Sequence, residues 1–365
     1  MNDSEHRLPR ALTAIREGME QGLHVGAQLY VSQNGREVAS LALGDARPDV
    51  AMTTDTLMPW MSCSKPVSAV ALAQLRDRGL LTFDDPVAKH VPEFAANGKD
   101  AITIRHLLTH TTGLRAVPPG WDAPPWERII AAVCAVKPEA GWTPGERAGY
   151  HLGSSWFILG EIVRRLGGRA YADYVRGEIF RPLGMRDSWI GMPAEQYTAY
   201  GERIGLMHNT SRSPAAPRDA AEDEANAALG APGAGGRGPI RELARFYEML
   251  LAGGENVLSP EGVRELTSRQ RVGMFDQTFR HVMDWGLGFI VNSNRYGADT
   301  VPYGYGRHAS EETFGHGGAQ SSTSFADPKH GLVVALVWNG TPGESKHQQR
   351  LRETLSALYE DLRLA

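Results

Sequence analysis

Strand signals at opposite ends of the chain constrain the fold most. Residues 26–43 hold two apolar runs separated by Asn34-Gly35. Asn-Gly between such runs is the strongest short-range hairpin signal, because a tight two-residue turn needs positive φ at both positions. Near the other end, residues 322–326 and 332–338 read as two further strands around an Asp327-Pro328 turn. Helices flank both pairs. Leu8, Leu12, Ile15 and Met19 recur at spacings of three and four over residues 5–21, and a second helical run spans about residues 344–364. Strands from both chain ends, covered by the terminal helices, predict one layered lobe.

The middle of the chain has a different character. Residues 64–80, 104–110, 126–136, 154–166, 171–180 and 239–252 carry helical spacing or composition, and residues 208–238 read as a loop. The expected architecture is therefore α/β in the α+β sense: an antiparallel sheet with terminal helices plus an inserted, mostly helical lobe. Residues 1–61 and 285–365 form the sheet lobe, residues 62–284 the helical lobe, and the active site lies between them. At 365 residues the core is large enough to need no disulfide. Cys63 and Cys134 fall in no metal or C-x-x-C pattern, which suits a reduced compartment. The net charge of −4 with scattered basic residues argues against a nucleic-acid partner. The first residues are charged throughout with no apolar core of a leader, and no run approaches the ~18 apolar residues of a membrane span. A cytoplasmic protein is expected.

One motif carries chemistry. Met61-Ser62-Cys63-Ser64-Lys65-Pro66 contains Ser-x-x-Lys, followed by an apolar helical run through Val67, Val70, Ala71 and Leu75. A helix begun at Ser62 stacks positions i and i+3, so the hydroxyl and the amine can meet. A serine hydroxyl is a poor nucleophile until a base takes its proton, and a lysine serves as that base only if burial or positive charge lowers its pKa. Alone the pattern is weak and would equally suit a capping serine beside a solvated lysine.

Three further segments change this: residues 104–114 (IRHLLTHTTGL), Tyr150-His151-Leu152 ahead of a helix, and Gly315-His316-Gly317-Gly318 ahead of a strand pair. With Trp142-Thr143-Pro144-Gly145 and the helix at 242–251, in this order and at these separations, the set resembles the class C β-lactamase-like serine hydrolases over about residues 20–340. That group includes family VIII carboxylesterases, D-amino-acid-specific peptidases and some biosynthetic acyltransferases. The resemblance implies Ser62 as nucleophile, Lys65 as base or proton shuttle, and Tyr150 as the second general base or acid. It implies an oxyanion hole from the backbone N–H groups of Ser62 and Ala319, with His316, Gly317 and Gly318 on the edge strand beside the substrate. His151, Leu152 and Trp142 are further candidates for substrate contact.

The chain departs from the lactamase pattern at two places. The tyrosine motif usually ends in Asn, whose amide bonds a substrate amide; Leu152 stands here. The third motif usually begins with Lys; His316 stands here and is a weaker anchor for a substrate carboxylate. Both changes favour a neutral or bulky acyl donor. The expected activity is that of an esterase or transacylase on a small-molecule ester or amide, with water, an amine or an alcohol as acceptor, in specialised metabolite biosynthesis, and with no metal or organic cofactor. The rivals are a β-lactamase or D-amino-acid peptidase, and a non-catalytic binding protein of the same fold. Trp60, Trp121, Trp126, Trp142, Trp156 and Trp285 lie near the motifs, and two of them are expected to line the site.

Other signals are discounted. The tract from Gly233 to Gly238 matches G-x-G-x-x-G, but no strand precedes it, so it reads as a loop rather than a dinucleotide site. His106 and His110 have i, i+4 spacing without the adjacent Glu of a zinc helix, and are expected to pack behind the nucleophile helix. His151 and His308 read as surface histidines, and Cys63 as buried core.

Overall fold

The computed structural model describes residues 6–116 and 125–365. Nine strands form one antiparallel sheet: β1 (Gly26–Gln33), β2 (Arg36–Arg47), β3 (Val50–Ala51), β4 (Arg271–Asp276), β5 (His281–Trp285), β6 (Ile290–Val291), β7 (Phe314–Gly317), β8 (Ser322–Asp327) and β9 (Leu332–Trp338). Their order is β3-β2-β1-β9-β8-β7-β6-β5-β4. The hairpin β1–β2 turns at Asn34 and Gly35, whose φ values of 51° and 71° are those a two-residue turn demands. Its partner on the other side is β9, with Ala27 opposite Trp338 and Gln33 opposite Leu332. The two ends of the chain thus meet in the middle of the sheet.

Alternation along β9 sorts the core. Leu332, Val334, Leu336 and Trp338 point with Leu29 and Val31 into a cluster with Leu8, Leu12 and Ile15 of helix α1 (Pro9–Glu20) and with Leu351, Leu355 and Leu358 near the C-terminus. Val333, Ala335 and Val337 point the other way, into the cluster that holds the central helices. Those central helices include α2 (Lys65–Asp77), α3 (Ser154–Gly167) and α5 (Ile240–Leu251), while α4 (Ala220–Leu229) buries Ala227 in a separate small cluster. The C-terminal helix α6 (Glu344–Asp361) packs on α1 and caps it: the Asp361 carboxylate accepts the Ala11 and Arg10 backbone N–H groups, each at 3.0 Å.

Two features differ from the expectation. The sheet extends to Arg271, upstream of a boundary at 285, because β4 and β5 join its far edge. Their turn, at residues 277–280, lacks Asn-Gly or Pro, and β4 is a half-exposed edge strand without an apolar run. Residues 208–238 are not one loop either. They contain α4, whose Asp219 accepts from the Ala221 and Glu222 N–H groups at 3.0 Å each, and which ends at Gly230 with φ 65°. Among the described residues no helix is long and apolar enough to cross a membrane.

Leu336 is fully buried at the centre of the sheet. Leu336→Ala is expected to lower the unfolding free energy by about 2–5 kcal/mol, read from guanidinium unfolding curves; a change under about 1 kcal/mol would show that β9 is not the core strand described.

Candidate active site

Ser62 lies in a 3₁₀ turn, Met61–Ser64, that runs directly into α2 at Lys65. With three residues per 3₁₀ turn, side chains at i and i+3 eclipse, and the Lys65 Nζ sits 2.9 Å from the Ser62 Oγ. Met61, just before the serine, holds φ 51°, a left-handed conformation that costs a residue with a Cβ about 1–2 kcal/mol. The surroundings hold it there. Trp60 donates its N–H to the Gly236 carbonyl at 2.8 Å and its indole N–H to Gly238 at 3.1 Å. On the opposite side the Ser322 hydroxyl donates to the Trp60 carbonyl at 2.7 Å, and the Cys63 thiol donates to the His316 carbonyl at 3.0 Å. Cys63 is buried as expected, with its thiol pushed up to about 12 by burial, so it serves as a strap rather than a nucleophile.

Lys65 is completely buried. Its amine also bonds the carbonyls of Leu152 at 3.0 Å and Gly233 at 2.9 Å. Burial, with no carboxylate in reach to offset it, brings its pKa down from 10.5 to about 7. A neutral amine has two N–H groups and one lone pair. The two carbonyls take the N–H groups, which leaves the lone pair for the Ser62 hydroxyl.

Tyr150 and Ser62 line the same cavity, and the Lys65 Nζ stands 5.0 Å from the Tyr150 ring centre. Burial raises the phenol above its usual range and outweighs the opposing effect of Ser62, so it is protonated at neutral pH. Of the two roles expected for Tyr150, this state suits the acid. Its backbone is clamped from both sides: its N–H donates to Asp276 at 3.1 Å, and the Thr278 hydroxyl donates to its carbonyl at 3.0 Å. Asp276 also accepts the Thr278 and Phe279 N–H groups and pairs with the buried Arg271 at 3.1 Å.

Ser62, Tyr150, Leu152, Gly317 and Ala319 line one cavity of about 440 Å³, together with Thr278, Phe279, Tyr303 and the first turn of α6. Among the described residues, neither the Ser62 nor the Ala319 amide is spent on a backbone carbonyl. Close approach explains the glycines. A Cβ on Gly317 would stand 2.3 Å from the Tyr303 ring, and one on Gly318 would stand 2.1 Å from Ser322 Oγ and 2.6 Å from the Trp60 carbonyl.

Several candidates lie elsewhere. His316 is buried behind the strand, its Nδ1–H donating to the Gly317 carbonyl at 2.7 Å; burial lowers its pKa to about 3, and it does not line the cavity. His151 is buried rather than on the surface. It shares hydrogen bonds of 3.0 Å with Thr112 and Ser155, and its backbone N–H donates to His110. Trp142 packs on Gly113 and gives its indole N–H to the Thr111 carbonyl. No described tryptophan lines the cavity: Trp60, Trp156 and Trp285 are core, Trp126 lines a different surface groove, and Trp121 lies outside the described residues. The aromatic wall comes from Phe279 and Tyr303 instead. His106 caps its own short helix through Thr103, whereas His110 is buried against the Tyr150 ring at 4.7 Å, so the pair shares no face. The short helix that carries His106 packs on α3. His308 is remote, 3.7 Å from Glu360.

Sequence reasoning missed Gly233, Asp276, Phe279, Tyr303 and Glu344. A signal existed for the first. The glycine-dense tract set aside as a poor dinucleotide motif is the strand that seats Trp60 and supplies a carbonyl to Lys65.

The chain belongs to the beta-lactamase family, which matches residues 13–359. It is an enzyme of the serine hydrolase type on that fold. It is 27% identical to the esterase/beta-lactamase LipL of Mycobacterium tuberculosis over 90% of this chain and 80% of that protein. It is 28% identical to the esterase EstB of Burkholderia gladioli over 86% of each. A penicillin-binding protein homologue from Caulobacter crescentus superposes with a TM-score of 0.80 at 29% identity, over 97% of both chains.

Gly318→Ala is expected to destabilise the protein by about 1–3 kcal/mol and to slow the reaction of Ser62 with a fluorophosphonate about 100-fold. Thermal melts and intact-mass kinetics measure these; a variant unchanged in both would contradict the tight packing of the strand on the Ser62 turn.

Proposed function

We propose that the chain is a serine esterase or transacylase acting on a small-molecule ester or amide, with Ser62 as nucleophile, Lys65 as its base and Tyr150 as proton donor. One observation carries this reading: a buried amine whose N–H groups are occupied by two carbonyls, with the Ser62 hydroxyl at its remaining position.

The reaction runs in two halves. The Ser62 Oγ attacks the substrate carbonyl carbon as its proton passes to the Lys65 lone pair. The ammonium so formed keeps both carbonyl partners and directs its third N–H at the new ester oxygen. The developing oxyanion is received by the amides of Ser62 and Ala319. As the bond to the leaving group breaks, that group takes the Tyr150 phenol proton, and the Lys65 ammonium returns a proton to the phenolate. Water, an amine or an alcohol then attacks the acyl-enzyme by the same steps in reverse.

The cavity favours an ester over a lactam. Among the described residues no cation lines it, and Leu152 stands where an amide would engage an acylamino group. His316 is neutral and buried, so nothing there anchors a carboxylate. One relative is named an esterase, which supports the same choice, while another carries both activities in its name. Cys63 and Cys134 are buried free thiols, which fits the cytoplasmic setting we propose.

Intact-mass analysis of protein mixed with aryl and methyl esters, with and without amines, tests this. An acyl adduct is expected on the native protein and none on Ser62→Ala, while Lys65→Ala and Tyr150→Phe acylate about 1,000-fold more slowly or worse. The base works only unprotonated, so the acylation rate should climb about tenfold per pH unit up to about 7 and level off above it. An adduct that survives Ser62→Ala, or a rate indifferent to pH between about 5 and 9, would refute the assignment.

A further inference from the structure

The wall of the cavity opposite Ser62 has a chemistry that the reaction does not use. Phe279 and Tyr303 stand edge to face with ring centres 5.7 Å apart, and Phe279 lies 4.7 Å from the Tyr150 ring. Into this aromatic corner comes Glu344, the first residue of α6. The Tyr303 hydroxyl donates to both of its carboxylate oxygens at 3.0 Å. The Gln348 side-chain N–H donates to one of them at 3.3 Å, while the Gln348 carbonyl oxygen accepts the Tyr303 backbone N–H at 2.7 Å. The same Tyr303 hydroxyl accepts the Gln320 N–H at 3.3 Å, one residue beyond Ala319. The carboxylate is thus held beside the reaction centre by neutral groups only.

It has no counter-ion. Among the described residues no Lys, Arg or His pairs with Glu344, whereas Glu360 at the other end of α6 pairs with Arg10. No other charged residue lines the cavity. Aromatic faces around a single uncompensated carboxylate make a site for a weakly hydrated cation.

We propose that Glu344, with Phe279 and Tyr303, forms a subsite for an alkylammonium group of the substrate, so that the enzyme selects cationic over neutral esters and discriminates against anionic ones. This deepens the esterase or transacylase reading and rests on it. The ammonium could enter on the acyl chain or on the alcohol, and the two sources are separable.

Two isosteric pairs provide the test. The 4-(trimethylammonio)butanoate and 5,5-dimethylhexanoate esters of p-nitrophenol place the charge on the acyl side. Butyrylcholine and 3,3-dimethylbutyl butyrate place it on the alcohol. Each kcat/KM is divided by the spontaneous hydrolysis rate of the same ester. In at least one pair the cationic member should be preferred by about fivefold or more. That preference should vanish in Glu344→Gln, persist in part in Glu344→Asp, and shrink in 0.5 M salt relative to about 0.05 M. Equal rates within both pairs, or a preference that Glu344→Gln leaves intact, would overturn the subsite while leaving Ser62 catalysis standing. If no ester of any charge acylates Ser62, the catalytic reading fails first and the subsite with it.

Discussion

Burying a lysine without an acid beside it is the constraint on which the rest of the site depends. An ammonium moved out of water into a dry interior is strongly disfavoured unless it is paired. Here the amine meets two carbonyls and a hydroxyl, and its pKa falls to about 7. His110, His151 and His316 crowd the same region and are themselves kept neutral by burial, and the nearby Arg271 is paired with Asp276. The protein spends stability to keep a base unprotonated where a hydroxyl needs one, and it places that base one 3₁₀ turn away so that no loop has to close to bring them together.

The Ser62 turn is held against that strain by strands from both directions in sequence. The segment Gly236–Gly238 pairs with Met58 and Pro59 ahead of the turn, and the β7–β8 connection bonds Trp60 and Cys63 from the other side. Glycine lets both approach closely. In the same packing Gly318 bonds back to the Ser322 carbonyl at 2.7 Å while Ala319 remains at the cavity wall. Tyr150 is fixed by a different device, a buried carboxylate that holds its N–H and those of Thr278 and Phe279 at once. One acid therefore ties the Tyr150 backbone to the turn that carries Phe279.

Much of this was legible in the sequence. The hairpin at Asn34-Gly35, the two C-terminal strands, the terminal helices and most internal helices follow from local period and turn chemistry. Ser62 and Lys65 meet as the Ser-x-x-Lys spacing implies, and Tyr150 lines the same cavity, as the resemblance implies. What escaped depends on tertiary placement. Phe279 sits in a turn with no strong turn residues, Tyr303 in a long connection, and Glu344 at a helix start; nothing local marks any of them as neighbours of Ser62. The tryptophans misled for a related reason. Large side chains close to a catalytic motif in sequence were needed to fill the volume behind it, and Trp60, Trp156 and Trp285 are fully buried there. The helix at 220–229 carried its own signals, an Asp cap, a terminal glycine and an alanine-rich composition, but no apolar stripe to draw attention to them.

The ionisation state of Lys65 can be read directly. With ¹³C-labelled lysine, the Cε resonance that disappears in Lys65→Arg can be followed across a pH titration of the otherwise native protein. The midpoint is expected near 7. A Lys65 resonance that stays in its charged position to about pH 10, the range of an ordinary lysine, would remove the base from the site and contradict the mechanism built on it.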